Sequence, residues 1–540
     1  MFTSPSRPIL TCIAIFMICS NVLFSQASIS GELKQYHKVT LTFDSASTYS
    51  ETATTYQNVR MDVVVTSPSG TNYSVPGYFA ADGNAAETSA TSGTKWRINF
   101  VPNEIGNYTY SVSFKTGSNV AVNGGGNGGE FDGQSGTFSV SATDKTGNDF
   151  RAKGKLSYVG KYAPQFANGD YFFEVGADSP ETFLEYSDFD ATEANNEYAS
   201  VSGYYTNDDP SWQDGKGTEI IGAVNYLTSQ GMNVHYFLTN NITGDGKKAF
   251  PFPNKTEYTT YDVSKLSQWE IVFDHMYEKG IVQEFVLLET ENLNWFEDQE
   301  GIASSNFSNS RKIYYRELIA RFGYLNVIWN IGEEANWSAG VDQYSASQIE
   351  EAAAYIENLS PYNDLITVHN GPSYDFTIFP QITALSGTNS LTAISLQGDY
   401  DDATHGNDEV INLRDMGNEE GKKWVVRYTE PWSASDLPNI ETWTNDALWA
   451  SICAGSVGIH YYAGSGRDVN GADYANYTPY YERMRFAKVF LEDNQIPFWE
   501  MSANNENISS GYLLSKLGEY HVVFLKNGGS ATINLQGSDD

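Results

Sequence analysis

Beyond about residue 150 the chain carries eight short, continuous apolar runs, at 171–176, 232–238, 284–288, 326–331, 365–369, 392–396, 424–428 and 457–461. Runs that do not alternate are strands covered on both faces, and such strands belong to parallel sheets flanked by helices. Helical patterns fall between them. Leu266, Trp269, Phe273 and Met276 form one apolar stripe, started by Asp262 and stopped by Gly280. Ser347 and Glu350 read as a capping box, and 311–322 as a helix ended by Gly323. Eight strand–helix units between 150 and 500 predict a (β/α)8 TIM barrel rather than an open sheet. No Gly-rich phosphate loop follows the first run, so no dinucleotide or other cofactor is expected.

The flanks read differently. Residues 28–145 carry short alternating runs, as in Tyr108, Tyr110, Val112 and Phe114, punctuated by Gly, Pro, Asn and Ser; this predicts an immunoglobulin-like β-sandwich. The stretch 124–129 is a loop within it. Residues 501–540 offer three more short strands, at 511–515, 520–525 and 531–535. So few strands form a module that either packs on the barrel or begins an incomplete domain.

Residues 1–27 read as a secretory signal peptide: Arg7, an apolar run over 9–24, then Ser25-Gln26-Ala27 as a small-x-small cleavage pattern. The expected location is therefore secreted or periplasmic, and no later window is apolar enough to span a membrane. Of three cysteines, Cys12 and Cys19 lie in that leader. Cys453 is left alone, a buried small residue with no disulfide partner. Lys plus Arg number 32 against 67 Asp plus Glu, a net charge of −35. That balance excludes a nucleic-acid partner and an anionic membrane surface.

Barrel chemistry sits where strands end at the C-terminal face. The residues there are carboxylates and aromatics: Asp178, Glu291, Trp295, Glu333, Glu334, Trp337, His369, Asn370, Gln397, Glu430, Trp432, His460 and Tyr461. One carboxyl closing the fourth strand and another closing the seventh is the arrangement glycoside hydrolysis needs, with Trp295, Trp329, Trp337 and Trp432 as stacking faces. Strict alternation allows only one of Glu333 and Glu334 to share the side of Asn330. His369, His405 and His460 lack an HExxH motif or a close His pair, so no metal is expected; Gly-x-Ser-x-Gly is also missing. His235 and His275 read as structural.

The segments YFLTNNITGDG (236–246), YDVSKLSQWEIVFDHMYEKG (261–280), ETEN (289–292), RKIYYRELIARFGYLNVIWNIGEEANW (311–337) and LWASICAGSVGIHYYAG (448–464) resemble a family of secreted bacterial barrel proteins. Its members carry an N-terminal β-sandwich of unknown function and often a C-terminal module labelled collagen-binding. The family is similar to clan A glycoside hydrolases, in which the acid/base closes strand four after an Asn and the nucleophile closes strand seven. The resemblance implies Glu334 as acid/base, Glu333 in place of that Asn, and Glu430 as nucleophile. The Asn-to-Glu departure leaves Glu333 and Glu334 both open as the acid. Strand eight departs as well, with His460 where the family often has Glu.

The expected function is a secreted retaining glycoside hydrolase acting on a polysaccharide or its oligosaccharides, with an algal galactan or other marine glycan suited to so acidic an exported chain. The alternatives are a non-catalytic glycan-binding protein on a degenerate TIM barrel and a matrix or collagen adhesin. Arg427 is a candidate cation for a sulfated substrate if its side chain enters the mouth.

Overall fold

The computed structural model describes residues 1, 26–179, 181–193, 198–335, 343–371, 390–398, 406–431, 439–462 and 471–535. Nearly all of the expected leader, together with Trp337, His405 and Trp432, lies outside the described residues.

Eight parallel strands form the central sheet: β1 (Glu174–Asp178), β2 (Val234–Leu238), β3 (Val282–Val286), β4 (Val327–Asn330), β5 (Leu365–Thr367), β6 (Ala393–Gln397), β7 (Val425–Glu430) and β8 (Gly458–Tyr462). Their order is β5-β4-β3-β2-β1-β8-β7-β6. The ends meet: His369 bridges Ser395, and the amides of Thr392 and Ser395 donate to Ile366 and Val368 at 2.9 and 3.1 Å. The sheet is thus a barrel, with every expected strand present. β1 starts at Glu174 rather than 171 because Tyr171 pairs antiparallel with Gln165 below the barrel.

The helix stops and starts follow local chemistry. Asp262 Oδ1 accepts from Lys265 N at 2.9 Å to start Val263–Lys279, and Gly280 ends it at φ 80°. Helix Asn309–Phe322 ends at Gly323 as expected, with a right-handed φ of −61°. The capping box is Ser345 with Gln348, not Ser347 with Glu350, because Ser345 is the last extended residue before helix Ala346–Leu359.

Before the barrel, two antiparallel sheets face each other. Val39, Leu41 and Phe43 of one and Tyr108, Tyr110, Val112 and Phe114 of the other fill a shared core, as the alternation predicts. This sandwich is fastened to the barrel helices by charge: Lys38 lies 2.6 Å from both Glu270 and Asp274, and Arg316 lies 2.8 Å from Asp62.

At the C-terminal end, Ser502–Ala503, Tyr512–Lys516 and Tyr520–Phe524 make a small antiparallel sheet. The strand expected at 531–535 is reduced to one bridge, Ile508 with Ile533; Gly528 and Gly529, both at positive φ, turn the chain before it. Leu514 and Val522 of this sheet pack with Met501 on Cys453, which is buried and free.

Candidate active site

The barrel interior is charged rather than apolar. Alternation along the strands turns Glu174, Glu284, Ser395, Arg427 and His460 inward, all fully buried. The Arg427 guanidinium donates to both oxygens of Glu284, at 2.6 and 2.8 Å, to Glu174 at 3.2 Å and to Ser395 Oγ. Asn330 and Ser395 also donate to Glu284 Oε1. His460 lies 2.8 Å from Asp178 and 3.4 Å from Glu174. Burial opposes the imidazolium, yet Asp178 and Glu174 hold its pKa up at about 9. Burial pushes Asp178 up to about 6 against the pull of His460. Arg427 is therefore spent on the floor beneath the mouth, not presented to a sulfated sugar as the sequence allowed.

Two backbone irregularities aim the catalytic candidates. Tyr428 pairs with Leu396 but Glu430 with Gln397, so Thr429 is an extra residue in β7, a bulge that turns Glu430 toward the mouth. After β4 the pleat ends; Glu333 forms an isolated bridge with Glu289, and Glu334 takes a left-handed φ of 50°. Both carboxyls therefore reach the mouth, where strict alternation expected one.

The contacts form a chain across the opening. Tyr236 OH donates to Glu333 Oε1 at 3.0 Å and lies 2.7 Å from His369 Nδ1. His369 Nε2 is 3.5 Å from Glu430 Oε2, without a well-aligned hydrogen bond. Gln397 donates to Glu334 Oε1 at 3.0 Å and also hydrogen-bonds Glu430. Side chains of Glu333 and Glu430 keep 12% and 8% exposure, enough to be met from the mouth. Burial, then the charges of Glu181 and Glu430, push Glu333 well above the usual carboxylate range. Burial, then Glu334, does the same to Glu430, with Gln397 opposing. Burial drives His369 down to about 3, so its ring is neutral.

Of the other expected residues, Asp178 and His460 belong to the floor, and Asn370 braces β5 to β6 by bonding Gln397 O and N at 2.9 and 3.0 Å. Glu291 is half-buried on the turn Thr290–Asn292. Three aromatics are not at the mouth. Trp295 is buried against Phe252 and Phe296, Trp329 points outward to Asp364, and Tyr461, the residue after inward-facing His460 in β8, stacks on Tyr480 outside the barrel. Tyr236, Glu174 and Glu284 escape a reading of strand ends because they lie within strands; a carboxylate inside an apolar run was the available signal. Glu181, 3.1 Å from Tyr462 OH, joins the mouth as well.

Two residue groups among those described have ligand atoms within 4.8 Å of one another, as a metal would need: Glu333, His369 and Glu430 in the mouth, and Glu32, His37 and Asp144 at the edge of the sandwich. His235 and His275 hydrogen-bond Ala177 O and Asn225 and serve packing, as expected.

Residues 32–115 match a domain of unknown function, DUF5060. No curated protein matches the chain in sequence. Among solved structures, a candidate glycoside hydrolase from Bacteroides vulgatus superposes with TM-score 0.56 and 13% identity, over 89% of this chain and 83% of that one. At such identity the shared property is the fold, sandwich and barrel together. A further glycoside hydrolase (TM-score 0.46, 15% identity, 68% and 82% covered) and the β-mannanase of the blue mussel Mytilus edulis (0.37, 14%, 62% and 96%) are more remote and carry no argument. The fold is glycoside hydrolase-like. No described helix is long and apolar enough to cross a membrane.

Proposed function

We propose that this chain is a secreted retaining glycoside hydrolase acting on a polysaccharide or its oligosaccharides, with residues 1–27 as export leader, 28–145 as sandwich, 150–500 as catalytic barrel and 501–540 as a C-terminal module. The observation that carries the reading is the approach of Glu333 and Glu430 across the mouth, with carboxylate oxygens within 4.8 Å. Carboxyls about 5 to 5.5 Å apart leave no room for an attacking water and work through a covalent glycosyl-enzyme.

In this reading Glu430 attacks the anomeric carbon. Burial and mutual repulsion raise the proton affinity of both Glu333 and Glu430, so the two carboxyls hold one proton between them. In this reading it sits on Glu333, which gives it to the leaving oxygen and then takes one from the incoming water, while Glu430 is ionised. Tyr236 fixes the Glu333 carboxyl, and Gln397 steadies both Glu430 and Glu334. Geometry thus favours Glu333 over Glu334 as the acid, where the family pattern favours Glu334; Glu334 then raises the proton affinity of Glu430. Glu333→Gln and Glu334→Gln, assayed on natural glycans and on activated aryl glycosides, separate the two. The acid variant loses activity on the natural glycan and keeps it on aryl glycosides, which need no proton.

A further inference from the structure

We infer that Glu333, His369 and Glu430 form a binding site for a single borderline divalent cation of the zinc type. The three side chains come from the ends of β4, β5 and β7, with no short spacing, which is why the sequence predicts no metal. Two carboxylates alone would not make a site. The independent observation is His369: its ring is 1% exposed, and Nε2 has no hydrogen-bond partner while facing Glu430 Oε2 at 3.5 Å.

The hydrogen bonds fix which nitrogen is bare. With Glu333 ionised, as a metal ligand is, Tyr236 gives its one proton to Oε1 at 3.0 Å, and the 2.7 Å contact to His369 is then Nδ1–H donating to the Tyr236 oxygen. Nε2 then presents a lone pair to a carboxylate oxygen, an arrangement that calls for a proton or a cation between them. A ligating histidine held through its other nitrogen by a hydrogen-bond acceptor is the usual second layer of a metal site. The 3.5 Å gap also suits an ion: two ligands each about 2.1 Å from a tetrahedral zinc lie roughly 3.4 Å apart. One nitrogen and two carboxylate oxygens, with an open fourth position toward the mouth, suit zinc better than calcium or magnesium. The other group, Glu32 with His37 and Asp144, already holds a cation, since Lys34 lies 3.1 and 2.6 Å from its two carboxylates.

Binding itself is independent of the hydrolytic reading. Only its consequence rests on that reading: the ion takes both catalytic carboxyls, so zinc competes with glycan, raising KM and leaving kcat unchanged.

The test is calorimetric titration of the metal-stripped full chain with zinc chloride at pH 8, for wild type and for His369→Gln, Glu430→Gln and His37→Gln, with circular dichroism confirming that each is folded. The expected result is one zinc bound tighter than roughly 10 µM, weakened at least tenfold by His369→Gln and by Glu430→Gln and unchanged by His37→Gln. If His369→Gln does not fold, Glu430→Gln decides. No binding by wild type, or loss in His37→Gln with retention in the mouth variants, overturns the inference. Failure to find a hydrolysed glycan leaves this result untouched, so the two readings fail separately.

Discussion

Arg427 grips both carboxylate oxygens of Glu284, at 2.6 and 2.8 Å, inside the barrel and below the catalytic candidates. An interior built on such a pair is held by mutual neutralisation, because neither charge has water to fall back on.

Removing one partner is therefore far worse than removing both. Arg427→Met strands Glu284 and Glu174 and should cost about 3 to 5 kcal/mol of stability. Arg427→Met combined with Glu284→Met should recover part of that loss. Urea denaturation followed by tryptophan fluorescence measures both; equal stability of the single variant and wild type would show that the floor does not depend on the pair.

The pair of His460 and Asp178 gives stability a pH signature. The folded pKa of His460, about 9, lies above its ordinary 6.5, so its contribution is complete below about pH 6.5 and is lost as pH rises through 9. The size in the limit is about 3 kcal/mol. Asp178 titrates near 6, so it contributes to the first part of that window and the His460 signal is read above about pH 7.5. Melting temperatures of wild type should fall toward those of His460→Gln between pH 6.5 and 9.5; parallel curves would refute the assignment.

Glu334 raises the proton affinity of Glu430 by repulsion. Glu334→Gln removes that charge, so the Glu430 pKa should drop toward the ordinary carboxylate range. Carbon-13 NMR of labelled glutamate carboxyls reads this directly, with Glu430→Gln identifying the resonance. An unmoved or raised value would show that Glu334 does not act on Glu430.

The barrel was legible because its strands are unbroken apolar runs, and reading the residues beyond them reached Glu333, Glu334, His369, Gln397 and Glu430. Alternation inside β8, which turns His460 in and Tyr461 out, runs against the expectation of both at the mouth. What could not be read was local backbone geometry. The bulge at Thr429 that aims Glu430, and the left-handed Glu334 that brings two adjacent carboxyls to one opening, depend on strand pairing and loop packing. Trp295 misled for the same reason: on the short helix Trp295–Glu300, an aromatic beyond a strand turns into a cluster with Phe252 and Phe296 rather than toward a ligand.

The cooperation of Glu430 with Glu333 is tested most directly by reducing-end release from a panel of algal and plant polysaccharides, using wild type and Glu430→Ala with and without sodium azide. Wild type should release ends, and Glu430→Ala should lose about 10⁴-fold or more of that activity. Azide, small enough to fill the space left by the carboxylate, should restore chain cleavage as glycosyl azides of inverted configuration, which carry no reducing end and are read by mass spectrometry of the products. Glycan binding without release by wild type, or wild-type turnover by Glu430→Ala, would contradict the account.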